Sequence, residues 1–164
     1  MKVVNIHHRT YNVSLDKITD LFYTLSNTND KVWPIEKWPR MTFKDGIKVG
    51  AAGGHGPIRY TVEQYDPEKL IQFRFAKSLG FIGTHRFEIK KVQNTQTQVM
   101  HTIEMNTKGI RTLIWLLAIR SLHNALLEDC LDKIENNFAK TKAHTQWNWY
   151  VKFIRTTFKL INKK

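Results

Sequence analysis

The chain has 164 residues, 41% hydrophobic and 24% charged. That is the makeup of one ordinary globular domain burying roughly two-thirds of its unfolded surface, and it excludes general disorder. A single cysteine, Cys130, excludes a disulfide framework and points to a reducing, cytoplasmic setting. The net charge of +12 is uneven: residues 140–164 hold Lys140, Lys142, Lys152, Arg155, Lys159, Lys163 and Lys164 and no acid, leaving +5 for all that precedes them.

MKVVNIHHRT has no apolar leader-like core, so no signal peptide is expected. Val3–Asn12 reads as a strand with Val4, Ile6 and His8 on one face. Ser14 is placed to cap a short amphipathic helix over Leu15–Ser26, carried by Ile18, Leu21, Phe22 and Leu25. WPIEKWPR follows; a residue before proline avoids the helical region, so Trp33 and Trp38 are expected in an ordered bend that plugs one end of the core. Met41–Lys44 and Ile47–Ala51 flank Asp45-Gly46, a hairpin dipeptide. GAAGGHGP is rich in glycine but lacks GK[ST] and leads into a strand, which argues for a bend or bulge rather than a phosphate loop.

Four segments then alternate with period two. Ile58, Tyr60 and Val62 share one face; so do Ile71, Phe73 and Phe75; then His85, Phe87 and Ile89; then, past a turn near Asn94, Val99, His101, Ile103 and Met105. Charged residues occupy the opposite positions, which marks an antiparallel sheet with one wet face.

A helical run from about 108 to 138 organises the rest. It contains no proline, and Leu116, Ile119, His123, Leu127, Cys130, Ile134 and Phe138 form a stripe widened by Leu113, Trp115, Leu117, Leu122 and Leu126. Asn124, Glu128, Asp132 and Glu135 form its polar face. Cys130 on the apolar stripe reads as a small core residue. The longest unbroken apolar run, Leu113–Ile119, is far short of the ~20 residues of a membrane span, so a soluble protein is expected. The element order predicts an α+β fold whose curved seven-stranded antiparallel sheet wraps the long helix, as a ligand-binding domain over 1–139, with a basic amphipathic helical tail over 140–164.

GGHGPIRYTVEQYDP, GFIGTHRFEI and SLHNALLEDCLD resemble segments of small bacterial members of the SRPBCC superfamily, which groups START-related, polyketide cyclase-like and Bet v 1-like helix-grip proteins. The resemblance covers about residues 3–139. It implies a helix-grip fold with a cavity between the sheet and the last helix. It does not single out an activity, because the superfamily includes lipid carriers, cyclases and hydrolase-like members.

The parities above place His8, His85, His101 and His123 inward. Either each is a satisfied core imidazole, or some fix the orientation of a ligand in an apolar pocket. In the second case Tyr60, Phe73, Phe75, Phe87, Met105 and Leu116 supply the wall. A turn centred on Asn94–Gln96 would hold His85 and His101 about four residues apart along their strands, on the order of 13 Å, too far to share a metal ion. His8 would approach His101 if their strands pair, with His123 descending from the helix, so that combination stays open. No cofactor is implied. No nucleophile motif is present, and Asp66, Glu88, Glu104 and Glu128 all fall on expected wet faces. Binding of a hydrophobic small molecule, a lipid or polycyclic aromatic, is therefore the leading expectation; a cyclase- or dehydratase-like enzyme using an inward histidine is the alternative.

In the tail, Trp147, Tyr150, Val151, Ile154, Phe158 and Ile161 share one side of a helix, which Trp149, Phe153 and Leu160 widen to an arc of roughly 200°. Lys152, Arg155, Lys159 and Lys163 lie opposite. Two readings compete: a cover for the long helix, or peripheral association of residues 145–164 with an anionic membrane surface. Nucleic-acid binding is disfavoured, because cations and aromatics are segregated rather than interleaved.

Overall fold

A computed structural model describes residues 1–161, with side chains through Phe158. The strands are β1 (Lys2–Tyr11), β2 (Met41–Phe43), β3 (Ala52–His55), β4 (Ile58–Asp66), β5 (Leu70–Phe75), β6 (Phe81–Gln93) and β7 (Gln96–Thr107). They form one antiparallel sheet in the order β1-β7-β6-β5-β4-β3-β2. Helix α1 (Leu15–Phe22) seals one end, and a continuous helix over Ile110–Glu135 lies in the grip of the sheet. That helix comprises α2 (Ile110–Ile114), a π-helical turn (Trp115–Ile119) and α3 (Arg120–Glu135). A final helix, α4 (Trp149–Ile161), packs against α3. The α+β helix-grip architecture expected from the sequence is thus present.

Burial follows the alternation through most of the sheet. Tyr60, Val62, Ile71, Phe73, Phe87, Ile89, Val99, Ile103 and Met105 are all buried on its concave face. Trp33 and Trp38 are buried in their bend, where the Trp33 indole donates to the Pro39 carbonyl and the Trp38 indole to Asp129 Oδ2.

Several expectations are corrected. The Asp45-Gly46 pair is not a two-residue hairpin turn: β2 pairs with β3 across a loop spanning 44–51, and no strand forms at 47–51. The glycine-rich stretch instead supplies β3, where a Cβ on Gly53 would lie 2.3 Å from the Phe43 ring, and a tight turn at Gly56, whose φ is +50°.

β1 has the opposite parity to the expected one. Val3, Asn5, His7, Arg9 and Tyr11 face the helix, whereas Val4, Ile6 and His8 are exposed. Its inward residues meet the polar face of α3, which is consequently not a wet face. Asn5 donates to Asn124 Oδ1; His7 contacts Asn124 and Glu128; Arg9 bridges Glu128, Asp132 and Glu135. Burial alone would raise the Asp132 carboxyl, but Arg9 and the Thr145 N–H hold it below the usual range.

Finally, the core-facing stripe slips by one residue in the front half of the long helix. The π turn inserts an extra residue into the helical cycle, so Trp115 is buried and Leu116 is exposed. The front half is thinly covered, with Ile110, Leu113 and Leu117 also exposed. By length and composition Ile110–Glu135 is long and apolar enough to cross a membrane, more so than the unbroken run of residues suggested. Its rear half is the core helix of the domain, with Leu126, Leu127, Cys130, Leu131 and Ile134 buried.

The apolar interior falls into two clusters. The larger lies under α3 and α1 and includes Phe22, Trp33, Tyr60, Phe73, Phe87, Leu127 and Ile134. The smaller, Val3, Phe81, Ile103, Met105 and Trp115, lies under the π turn.

Candidate functional site

Between the two clusters the interior carries imidazoles. β6 and β7 pair with Phe87 opposite His101 and His85 opposite Ile103, so the two histidines sit on a diagonal two residues apart. The hairpin turns at Asn94-Thr95, with an irregularity at Val92. Each residue by which the turn centre shifts moves the register by two, which is why the expected 13 Å separation is wrong. His85 Nδ1 and His101 Nε2 are 3.4 Å apart, a long hydrogen bond.

Both are buried, at 4% and 2% exposure. The His85 ring stacks against Phe73 at 4.9 Å and Phe75 at 5.0 Å, with Tyr60 edge-on at 4.8 Å. His101 meets Phe87 at 4.7 Å and His123, descending from α3, at 5.2 Å. His123 is half-buried and lies 6.3 Å from Trp115 and 5.9 Å from His7.

The series continues at both ends. The His55 Nδ1 atom contacts the Tyr60 hydroxyl at 3.1 Å, and His7 ends the other side on Glu128. Neither His55 nor His7 was among the residues singled out by the sequence. His55 is hidden in the glycine-rich stretch, where no alternation marks a face, and His7 was lost with the parity of β1. His8, expected inward, is exposed and contributes nothing to the interior, and Leu116 is exposed on the outer side of the π turn. Tyr60, Phe73, Phe87 and Met105 are buried as expected, and Phe75 is half-buried.

Burial keeps His55, His85, His101 and His123 neutral. It lowers His85, with a smaller push from His55, to about 3, and lowers His55, with help from Arg59, to about 4. His101 and His123 are driven well below the ordinary value by burial and then by their histidine neighbours. Burial likewise raises the Tyr60 hydroxyl and the Cys130 thiol, so neither is a nucleophile at neutral pH.

Three ring nitrogens, His85 Nε2, His101 Nδ1 and His123 Nδ1, are buried and have no hydrogen-bond partner among the described residues; Asn5 Oδ1 shares that condition. A buried polar atom without a partner costs of the order of 1–3 kcal/mol, and Thr19 Oγ1 of α1 is a fifth such atom. Among the described residues no group of three His, Cys, Asp or Glu is placed to hold a metal ion.

Two clefts open elsewhere. One, of about 440 Å³, is lined by Lys44, Gly53, Gly54, His55, Arg59 and Tyr60, and so touches the outer end of the histidine series. The other, of about 560 Å³, lies among Thr24–Asn29, Phe43 and Gly46. Neither lies between the sheet and the long helix.

The expected tail contacts divide. Trp147 packs edge-on against Trp38 at 5.6 Å and donates to Asp129 Oδ2; Arg155 stacks on both rings, at 3.9 Å from Trp38 and 4.3 Å from Trp147. Tyr150 donates to the Leu117 carbonyl. Trp149, Lys152, Phe153 and Phe158 are exposed, and the Lys159 side chain lies outside the described residues. The acids are not all on wet faces either: Asp129 is 2% exposed, accepting both indoles and Lys37.

No known family matches the sequence, and no curated protein does. Solved structures match the fold. Norcoclaurine synthase from Thalictrum flavum is 14% identical, with a TM-score of 0.63 over 86% of this chain and 88% of its own. A conserved protein of unknown function from Enterococcus faecalis is 11% identical, with a TM-score of 0.60 over 99% of this chain and 86% of its own. Norcoclaurine synthase has also been solved in complex with dopamine and hydroxybenzaldehyde, at 13% identity and a TM-score of 0.58 over 88% and 90%. At such identities the likeness concerns the fold alone, which is Bet v 1-like.

Proposed function

We propose that the protein binds a small, largely apolar molecule carrying a group that both donates and accepts a hydrogen bond, such as a hydroxyl. His85, His101 and His123 offer that group its hydrogen-bond partners along the wall of Tyr60, Phe73, Phe75, Phe87 and Met105. The observation behind this reading is the set of buried, unpartnered imidazole nitrogens.

The pairing of His85 with His101 sharpens it. Whichever ring donates across the 3.4 Å contact, a neutral pair leaves one outer nitrogen protonated and the other bare. The pair therefore offers a donor at one end and an acceptor at the other in either tautomer, so a hydroxyl, which plays both parts, is matched at whichever end it meets. Small aromatic compounds bound by norcoclaurine synthase on the same fold agree with an aromatic-lined interior. Access requires the front half of the long helix to give way, and that half has the fewest buried side chains to hold it.

A cyclase- or dehydratase-like reaction is the less favoured reading: a base whose pKa is about 3 takes up few protons at neutral pH.

Calorimetric titration with 2-naphthol and with naphthalene tests the proposal. The hydroxyl should strengthen binding, and His101→Phe should erase roughly tenfold of that preference, the net worth of about one hydrogen bond. His8→Phe, on the exposed face, should change nothing. Equal affinity for the two compounds, or a folded His101→Phe protein that keeps the preference, would overturn it. Unfolding of His101→Phe in the absence of any such preference in the parent protein would make the histidines structural.

A further inference from the structure

The apolar surface left uncovered gathers where two helices meet. Ile110, Leu113 and Leu117 recur at three- and four-residue steps and are exposed, Leu117 to 62%. On α4, Trp149 and Phe153 stand one turn apart, exposed to 77% and 62%. The two stripes abut at the hydrogen bond from Tyr150 to the Leu117 carbonyl, and the Tyr150 ring lies edge-on to Trp149 at 5.6 Å.

This is not a loose tail. Val151 and Ile154 are buried, and Arg155 is clamped over Trp38 and Trp147 while donating to the Lys37 carbonyl. The apolar arc of α4 is wider than the core beneath it, and its surplus faces solvent from a fixed helix.

Charge says what covers this face. Residues 105–127 and 136–164 contain no Asp or Glu. Lys108, Arg111, Arg120 and Lys152 are all exposed around the apolar side chains. An ordinary solvated surface mixes both signs. Here indole, phenyl and leucyl groups form one apolar face bordered by cations, the arrangement that seats an amphipathic surface at the boundary of headgroups and acyl chains.

We propose that Ile110, Leu113, Leu117, Trp149 and Phe153, rimmed by Lys108, Arg111, Arg120 and Lys152, form a docking surface for an anionic lipid bilayer. The inference does not depend on the identity of an interior ligand, or on there being one.

The test is flotation of the full chain with phosphatidylcholine vesicles, with and without phosphatidylserine. The protein should float with the anionic vesicles only, and less at high salt. The double variant Trp149→Ser/Phe153→Ser, altered only at exposed positions, should melt like the parent and lose roughly tenfold or more of its binding. Brominated acyl chains should also quench the parent's tryptophan fluorescence, since Trp149 is exposed whereas Trp33, Trp38 and Trp115 are buried. No flotation, equal flotation with neutral vesicles, undiminished binding by the double variant or absence of quenching would each overturn the proposal. So would a parent dimer that the double variant dissociates, which would make the face a contact between two copies.

Discussion

The two halves of the long helix are covered very differently. Under α3, Leu126, Leu127, Cys130, Leu131 and Ile134 are buried on one side, and on the other Glu128, Asp132 and Glu135 are tied to Arg9 of β1. Under α2 and the π turn only Trp115 is fully buried, and the histidines begin where the two halves meet. A helix satisfied on all sides is a structural beam. A helix anchored by one buried indole and the bond from Tyr150 is a lighter cover, and the difference places more of the stability at the rear than at the front.

The rear should be the more costly to disturb. Arg9→Met removes the cation shared by three carboxylates, of which Asp132 is buried, and should cost about 3–5 kcal/mol by chemical denaturation. Leu131→Ala, fully buried in the larger cluster, should cost about 2–5 kcal/mol. If either is neutral, the beam is not where the stability lies.

The boundary between the halves should fail in acid. His55, His85, His101 and His123 all have folded pKa values below the ordinary 6.5, so the unfolded chain binds protons more readily. No penalty exists above pH 6.5. As pH falls below that, the unfolded chain takes up protons that these buried imidazoles refuse, and the folded state loses stability progressively. Melting temperature should therefore be flat above neutrality and drop steeply below pH 6, and His101→Phe should make that drop shallower.

The front should tolerate change. Leu117→Ala should shift stability by no more than about 0.5 kcal/mol, and amide exchange through Ile110–Ile119 should be faster than through 126–134. Slow exchange at the front would show that the cover is as rigid as the beam.

How much of this was legible varies with the element. In β4 to β7 mostly polar or charged residues alternate with apolar ones and histidines, so the inward positions of Tyr60, Phe73, His85, Phe87, His101 and Met105 could be read directly. β1 could not be read this way: Val3, Val4 and Ile6 put apolar side chains on both parities, and the strand's inner face is polar because it meets the polar face of α3. The sequence also placed an amphipathic helix in the tail, and it could not say which part of the arc the core would cover.

By itself, then, the sequence determined the antiparallel sheet, the long helix and the three central histidines, because periodicities of 2 and 3.6 residues report which side chains share a face. Only the tertiary structure decided how faces meet. It chose His7 over His8 through the pairing of two polar surfaces, and Trp115 over Leu116 through one extra residue in a π turn. It brought His85 to within 3.4 Å of His101 through a hairpin register that shifts by two for each residue the turn centre moves. Those choices depend on contacts between segments distant in the chain, and a local pattern carries no record of them.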